Sequence, residues 1–332
     1  MKIYRLQKIG SLDGLELREE PAPQPGPGEV LVQIKAVSLN FRDLSIVMGW
    51  SPFELEQGRV PLSDAAGIVT AVGDGVTRFA VGDRVVNSFV PGWHSGPLKS
   101  LAPQYGIELE GWFAEYRAIN QEELLSLPDT MTFEEGATLP CAAVTAWSAV
   151  AGVGPQHRVL TQGTGGVSLF ALQFAKARGA EVIATTSSAD KAGRLRALGA
   201  DHVVNYLEIA DWGEQVKAIA DGRGVDRVVE VGGPGTFAQS IKAVAIGGQV
   251  SMVGVLAQGQ MPGFLDLFLS QARIQPLATG SRQDLEDVIA TVAHHRLHPV
   301  IDSRFAFADA RSGWEHFAAR NLFGKVVITI DA

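Results

Sequence analysis

Residues Arg158–Gly179, RVLTQGTGGVSLFALQFAKARG, constrain the fold of this 332-residue chain more than any other stretch. Val159, Leu160 and Thr161 form the short apolar run of a buried strand. Gly163, Gly165 and Gly166 follow at once. Val167, Phe170, Ala171 and Phe174 then recur at i, i+3, i+4 and i+7, one face of an amphipathic helix. Lys176 and Arg178 fall in the last turn, where cations suit the helix dipole, and Gly179 is a C-terminal stop. Strand, glycine turn and helix in that order form the context in which glycines bind phosphate. The turn admits a pyrophosphate to the backbone, and the first N–H groups of the helix face it. The third glycine position, which serves close helix–strand packing, holds Ser168, a residue small enough to be tolerated there. A tight turn that binds nothing is the alternative for the glycines taken alone.

The length suits about two domains, each large enough for its own core. With 46% apolar and 19% charged residues the composition is that of an ordinary globular protein. A net charge of −8 and the lack of any basic run argue against a nucleic-acid surface. The N-terminal MKIYRLQKIG lacks the apolar core of a signal peptide, and no apolar stretch approaches the about 20 residues that span a bilayer. One cysteine, Cys141, excludes an intramolecular disulfide and fits a reducing compartment. The expectation is a cytoplasmic protein with a small-molecule substrate and no nucleic-acid or membrane partner.

The first part of the chain reads as β-rich. Lys2–Ile9, Leu15–Glu19, Val30–Val37, Ala66–Val72, Arg84–Val86 and Phe113–Ile119 are short strand-like runs separated by turn residues. PAPQPGPGE (Pro21–Glu29) joins two of them as a rigid surface loop. Residues 87–112 are irregular, and loops of that length are functional or mobile. From Thr132 the pattern becomes helical and leads into the glycine stretch. Strands at Glu181–Thr185, Val203–Asn205, Arg227–Val231, Gln249–Val253 and Ile274–Thr279 then alternate with helices at Ala189–Leu198, Trp212–Ala220 and Thr236–Ala245. This βαβ spacing predicts a parallel, doubly wound sheet. The tail from Asp284 carries one or two helices and a last strand, Lys325–Ile330.

An acid at the end of the second strand of such a sheet binds the ribose 2′-hydroxyl of NAD. The positions here are Thr185, Thr186, Ser187 and Ser188, with Asp190 and Lys191 beyond them. Hydroxyls and a lysine suit a 2′-phosphate instead, so NADP(H) is the expected cofactor. Ser187 or Ser188 also reads as a helix N-cap, and the two roles are compatible.

Several long motifs, in order, make the chain resemble the medium-chain dehydrogenase/reductase superfamily, in its zinc-independent, quinone-oxidoreductase-like branch. They are PGPGEVLVQIKAVSLNFRD, PLSDAAGIVTAVGDGVTRFAVGDRV, GATLPCAAVTAW, VLTQGTGGVSLFALQFAKARGA, LGADHVVNY and FGKVVI, and they span nearly the full length. The resemblance implies a Rossmann domain inserted into a GroES-like β-rich catalytic domain, with boundaries at 1–124, 125–278 and 279–332. It implies that Lys191 and Tyr206 hold the 2′-phosphate and that Thr145 lies close to the nicotinamide. The expected cofactor-binding set is then Thr145, Gly163, Thr164, Gly165, Gly166, Val167, Thr186, Ser187, Ser188, Lys191, Tyr206, Gly232 and Gly254. The last two directly follow later strands of the sheet.

In the zinc-bearing relatives, cysteine occupies the position of Asn40, and a GHE motif falls on Leu62-Ser63-Asp64, so Ser63 stands for the histidine. Only Cys141 resembles a retained ligand. A catalytic zinc needs three protein ligands, and one thiol with a nearby Asp64 does not supply them. His94 is isolated, and His294, His295 and His298 read as solvated surface. The expectation is no zinc. Hydrogen-bond donors must then stabilise the charge that develops on an acceptor oxygen, with Asn40 first, assisted by Ser63 or a water. Cys141 either contacts substrate or only packs, and Asp43 is either catalytic or a structural anchor. Trp50, Phe53, Trp93 and Tyr105 either wall a pocket or pack. A quinone or enone delocalises charge itself, which makes NADPH-dependent reduction of conjugated acceptors the expected activity. The alternatives are an alcohol dehydrogenase or ketone reductase and a nucleotide-binding protein without turnover. The resemblance also implies a homodimer paired through Ile274–Thr279.

Overall fold

The computed structural model describes residues 1–51, 56–100 and 102–331. In chain order its elements begin with β1 (Lys2–Leu6), β2 (Leu15–Glu19), β3 (Glu29–Ser38), α1 (Phe41–Val47), β4 (Asp64–Val72), β5 (Arg84–Asn87), β6 (Tyr116–Asn120) and β7 (Leu124–Ser126). Helix α2 (Phe133–Ala137), a π turn (Leu139–Ala143) and α3 (Val144–Ala149) follow. Alternation then sets in with β8 (Arg158–Gln162), α4 (Gly166–Ala177), β9 (Glu181–Thr186), α5 (Ala189–Ala197), β10 (His202–Asn205), α6 (Trp212–Ile219) and β11 (Val225–Glu230). It continues through α7 (Phe237–Ala243), β12 (Val244–Met252), α8 (Phe264–Ser270) and β13 (Arg273–Pro276). The chain ends with α9 (Arg282–His295), β14 (Ile301–Ala306), α10 (Ala310–Ala318) and β15 (Lys325–Thr329). No helix among the described residues is long and apolar enough to cross a membrane.

Two compact units result, one of Met1–Val144 with Gly280–Ala332 and one of Thr145–Thr279. Residues 125–144 therefore group with the first unit, whereas the sequence reading placed them in the second. The reason is packing: α2 lies against β3 and β4, and its Gly136 approaches Leu127 and Ala66 so closely that a Cβ would meet them at 2.8 and 3.3 Å.

The first unit is organised by β3. It pairs antiparallel with β4, β6 and β15, at the centre of a sheet of order β14-β15-β3-β4-β5-β7. Ser38 faces Val327 and Val37 faces Ile328, so the two ends of the chain close one sheet. Val30, Val32, Ile34, Val37, Val326 and Ile328 fill its core together with Trp314 of α10. β1 pairs antiparallel with β2, with single bridges from Ile3 to Ala114 and from Leu6 to Arg59, and stops at Leu6, earlier than Ile9, where Gln7 N–H donates to Gly14 O instead. Tyr4 stacks on Phe113 at 4.4 Å and meets Phe307 edge-on at 5.1 Å.

The second unit is a six-stranded parallel sheet of order β10-β9-β8-β11-β12-β13. Renumbered from β8 this is 3-2-1-4-5-6, the doubly wound order, and its switch point lies between β8 and β11. Leu160, Ile183, Val228 and Val250 from the strands and Phe237, Trp212 and Val216 from the helices form its core. The predicted helix from Thr132 is interrupted, since Pro140 lacks an N–H and the backbone widens into the π turn there. Four elements had no counterpart in the sequence reading: α1, β7, α8 and β14.

Gly324 joins α10 to β15 with φ +118°, and a Cβ on it would lie 2.2 Å from Val300 O. Gly75 has φ +77° but open space around it. The G324A variant is expected to lose about 2 kcal/mol or more of unfolding free energy, against about 1 kcal/mol for G75A. Urea unfolding midpoints at unchanged m-value measure both.

Candidate active-site residues and cofactor turn

The glycine turn opens the second unit's candidate site. Gly163 sits at φ +69° and donates its N–H to Thr185 O at 2.9 Å. Gly165 is the N-cap of α4, in extended geometry and with no side-chain cap. A Cβ on Gly163 or Gly165 would meet nothing within 4 Å. The cradle is open, and the first-turn N–H groups of Gly166, Val167 and Ser168 belong to a 12-residue helix without a side-chain partner at its cap. Thr164 lies buried beside it. Ser168, at the third glycine position, is buried and donates its hydroxyl to Gln162 O at 2.6 Å. The side chain folds back on the strand end instead of blocking the turn. These residues fit a dinucleotide pyrophosphate.

Beyond the turn, β9 ends at Thr186 with no acid following. Thr186 Oγ1 accepts from Ser188 N–H at 3.3 Å, and Ser188 Oγ, the N-cap of α5, accepts from Lys191 N–H at 3.4 Å. Tyr206, just past β10, donates its N–H to Thr186 O at 3.0 Å. Thr186, Ser187, Ser188, Lys191 and Tyr206 therefore gather at one strand end. At the two ends of this unit Thr145 donates its hydroxyl to that of Thr279 at 3.3 Å, and both are buried.

Gly232 and Gly254 follow β11 and β12, where a Cβ would meet Thr236 Oγ1 at 2.3 Å and Val231 O at 2.2 Å. The loop after β11 is held by a carboxylate that sequence reasoning missed. Glu230, fully buried, accepts the N–H groups of Gly232 and Gly233 at 2.8 Å each and the Thr236 hydroxyl through Oε1. Its Oε2 accepts from Gln162 Nε2 at 2.9 Å and from the Ser240 hydroxyl. The end of β8 is thereby tied to the loop after β11.

The first unit holds a second cluster, at the join of β3 and α1. Asn40 is the helix N-cap, and its N–H donates to Asp43 Oδ2 at 2.9 Å. Asp43 is buried and its Oδ1 accepts from Arg42 Nη1 at 3.0 Å; Arg42 Nη2 donates to Tyr105 O at 3.0 Å. The Asn40 side chain turns elsewhere: Oδ1 accepts from Lys325 Nζ, which also donates to Leu39 O at 2.7 Å. Asn40 Nδ2 is buried and has no hydrogen-bond partner among the described residues.

Beside it, Ser63 Oγ donates to Asp64 Oδ1 at 2.7 Å, and Asp64 Oδ2 accepts from Cys141 N–H at 3.2 Å. Asn87 clamps this segment, donating to Ser63 O at 2.8 Å and accepting from Ala65 N–H at 2.7 Å. Leu62, one residue earlier, is held at φ +75°, an unusual conformation for a branched side chain and one that concentrates at functional sites. Cys141 lies half-buried on the π turn, a distortion with the same bias.

Burial dominates the electrostatics. It pushes the Asp43 carboxyl up to about 6, with Asp64 adding to the rise and Arg42, the Asn40 N–H and Lys325 opposing it. It raises the Cys141 thiol far above the usual range, so the sulfur is neutral at pH 7. It lowers the Lys325 ammonium, which Asp64 and Asp43 support. The donor set fits a zinc ion poorly. It offers one thiol, a carboxylate already engaged by two donors and an amide oxygen held by an ammonium. Among the described residues no three His, Cys, Asp or Glu side chains are grouped to hold a metal.

Lys325 was the residue that sequence reasoning passed over, although the signal was present: a lysine opening KVVIT, a strand otherwise apolar enough to be core. Of the aromatic candidates, Tyr105 is core, edge-on to Trp112 at 5.8 Å with Arg117 over its ring at 4.9 Å. Trp93 donates its indole N–H to Gly96 O at 2.8 Å, Trp50 is exposed, and Phe53 lies outside the described residues. His94, His294, His295 and His298 are exposed.

Because the folded-state Asp43 pKa of about 6 exceeds its ordinary value of 3.8, its contribution is present below pH 4 and is lost as pH rises through 6. Relative to D43N, the native protein is expected to lose about 3 kcal/mol of unfolding free energy between pH 4 and pH 7. Urea unfolding of both proteins across that window measures the difference, in which pH-independent effects of the substitution cancel.

The chain is similar to known proteins along nearly its full length. Residues 26–129 match the alcohol dehydrogenase GroES-like domain family, and residues 166–294 match the zinc-binding dehydrogenase family. The latter match contains none of Asn40, Ser63 and Cys141, so it carries no statement about the metal. A zinc-type alcohol dehydrogenase-like protein of Schizosaccharomyces pombe is 39% identical over 98% of this chain and 97% of its own length. An acryloyl-coenzyme A reductase of Sulfurisphaera tokodaii is 27% identical over 96% of this chain and 97% of its own. Among solved structures, an NAD-dependent alcohol dehydrogenase superposes with a TM-score of 0.92 at 35% identity over 100% of both chains. A quinone oxidoreductase of Pseudomonas syringae gives 0.82 at 29% identity over 99% of each. A cobalt- and zinc-bound alcohol dehydrogenase from Pyrobaculum aerophilum gives 0.85 at 27% identity over 99% of each. With a GroES-like unit around an inserted doubly wound sheet, the chain is an oxidoreductase and belongs to the medium-chain dehydrogenase/reductase superfamily, with quinone-oxidoreductase-like relatives.

Proposed function

We propose that this oxidoreductase is a zinc-independent, NADPH-dependent reductase of quinones or α,β-unsaturated carbonyls, working in the cytoplasm. The observation that carries the reading is the unpartnered Asn40 Nδ2, a buried donor where zinc relatives carry a ligand. NADPH supplies a hydride from nicotinamide C4. Backbone groups of Gly163, Gly165, Gly166 and Val167 hold the pyrophosphate, and Lys191, Tyr206 and the hydroxyls of Ser187 and Ser188 take the 2′-phosphate. In an enone the hydride adds to the β-carbon and the π electrons move to oxygen, where Asn40 Nδ2–H stabilises the enolate. The α-carbon then takes a proton from solvent, so enone, NADPH and a proton give the saturated carbonyl and NADP⁺. One amide donor is worth about 3 kcal/mol to such an oxyanion. That suffices best for an acceptor that spreads the charge itself. The names of the quinone oxidoreductase and the acryloyl-coenzyme A reductase among the relatives agree with conjugated acceptors.

Purified protein is expected to oxidise NADPH with quinones and enones, undiminished by chelator and with zinc far below one per chain. K191A is expected to raise the KM for NADPH about tenfold while leaving that for NADH nearly unchanged. Stoichiometric zinc with turnover of simple ketones would instead make it an alcohol dehydrogenase, a reading the zinc-bound neighbour keeps in view.

We propose further that it is a homodimer. β13 is the sheet's edge strand and is exposed throughout, and α8 beside it turns Phe264, Leu265, Phe268 and Leu269 outward, Phe264 at 83% exposure. An edge and an apolar face of this kind call for cover, which a second copy supplies by pairing β13 about a two-fold axis. Light scattering is expected to give the dimer mass for the native protein and the monomer mass for F268E/L269E.

A further inference from the structure

Lys325 is 2% exposed at the start of β15, in a strand otherwise buried as core. Its main chain is pinned on both sides: Lys325 N–H donates to Val300 O at 2.9 Å, and Leu39 N–H to Val326 O at 3.0 Å. The antiparallel register that sets Val327 opposite Ser38, continued by two residues, sets Lys325 opposite Asn40. Burying an ammonium is costly unless its donors are used. The two carboxylates of the cluster take their hydrogen bonds elsewhere, Asp43 from Arg42 and the Asn40 N–H, Asp64 from Ser63 and the Cys141 N–H. The ammonium instead binds two neutral oxygens, Leu39 O and Asn40 Oδ1.

That choice has a chemical consequence for the amide. With Oδ1 held by a cation, the amide cannot flip, and Nδ2 must point the other way. Nδ2 is also the end left without a partner. A cation on the oxygen withdraws electron density through the amide and strengthens the N–H as a donor. We propose that Lys325 is a positioning residue for the reduction: it locks the Asn40 amide with its N–H toward the acceptor oxygen and polarises it, so that a buried ammonium one amide away supplies the positive field that a Lewis acid supplies in the zinc enzymes. The inference rests on the reading of Asn40 as the oxyanion donor.

The test is a double-mutant cycle on the full-length protein, read as steady-state NADPH oxidation with an enone and a quinone acceptor. K325M is expected to lower kcat about 100-fold, with KM for NADPH and for acceptor within threefold and the melting temperature retained. N40A is expected to lose a similar factor, and N40A/K325M to be no slower than N40A by more than threefold. K325R, which keeps the charge, is expected to recover part of kcat, and K325Q, neutral but still a donor, to recover less. If K325M folds less well, the K325R and K325Q pair decides the matter by itself. Equal rates for these two variants, or K325M within threefold of the native kcat while N40A falls, would overturn the role of Lys325 and leave that of Asn40 intact. Multiplicative losses in the double variant would show Lys325 acting independently of Asn40, which overturns the inference too. A full rate for N40A would remove the underlying reading, and the inference with it.

Discussion

The pairing of β3 with β15 is the constraint on which the rest of the first unit depends. A strand near the start of the chain and the last strand meet antiparallel, Val37 against Ile328 and Ser38 against Val327. Because both strands are buried, a slip of one residue would turn every core side chain outward, so the register is strongly held. The chain satisfies it by leaving this unit after Val144 and returning at Gly280. The residues between have to fold as a unit of their own, and the six-stranded parallel sheet with its separate core is that unit. The same register carries Lys325 to Asn40. Sheet architecture and site chemistry thus share one cause.

The polar cluster in that unit is kept together by mutual compensation. Four ionisable groups are withdrawn from water in a small volume, a cost of several kcal/mol per ion in isolation. Each carboxylate has two donors, the ammonium has two acceptors, and the thiol avoids the cost by staying neutral. Asp43 is the weakest link, since burial outweighs its partners and its pKa rises to about 6. What the cluster leaves over is one donor, the Asn40 amide N–H. Like Tyr105 Oη and Trp314 Nε1, it is a buried polar atom without a hydrogen-bond partner among the described residues, and such atoms ask for an explanation.

What could be read from the sequence follows from how local each cause is. The glycine turn and its helix were legible because strand run, glycines and apolar period lie within 22 contiguous residues, Arg158–Gly179. Ser168 was legible as tolerable, but not its hydrogen bond to Gln162 O, which depends on the folded turn. The alternation of strands and helices gave the doubly wound sheet, while strand ends moved by a few residues because partners, not propensity, decide them. α8 was missed because FLDLFLS is only seven residues long, too short a window for a helical period to stand out from an apolar run. β14 was missed because IDSRFA is never fully buried and alternates only weakly. Lys325, Asn87 and Glu230 were missed for a deeper reason. Their partners lie 285, 22 and up to 68 residues away in the chain, and one sequence does not display such pairings.

The proposed absence of zinc and the presence of Lys325 are two faces of one electrostatic argument. A metal ion ligated by the Asn40 side-chain oxygen would lie within about 5 Å of the ammonium on that same oxygen, by the sum of a metal–oxygen bond and a hydrogen bond. Two unit charges at about 4 Å repel by about 4 kcal/mol at an effective dielectric of about 20, and a divalent ion doubles this. The lysine would have to lose its proton or move, and β15, pinned at Val300 and Leu39, leaves it little freedom to do so. Exchanging one ligand for asparagine therefore does more than weaken a metal site. It provides an oxygen that Lys325 occupies here, and in the proposed mechanism that lysine is the cation the reduction uses.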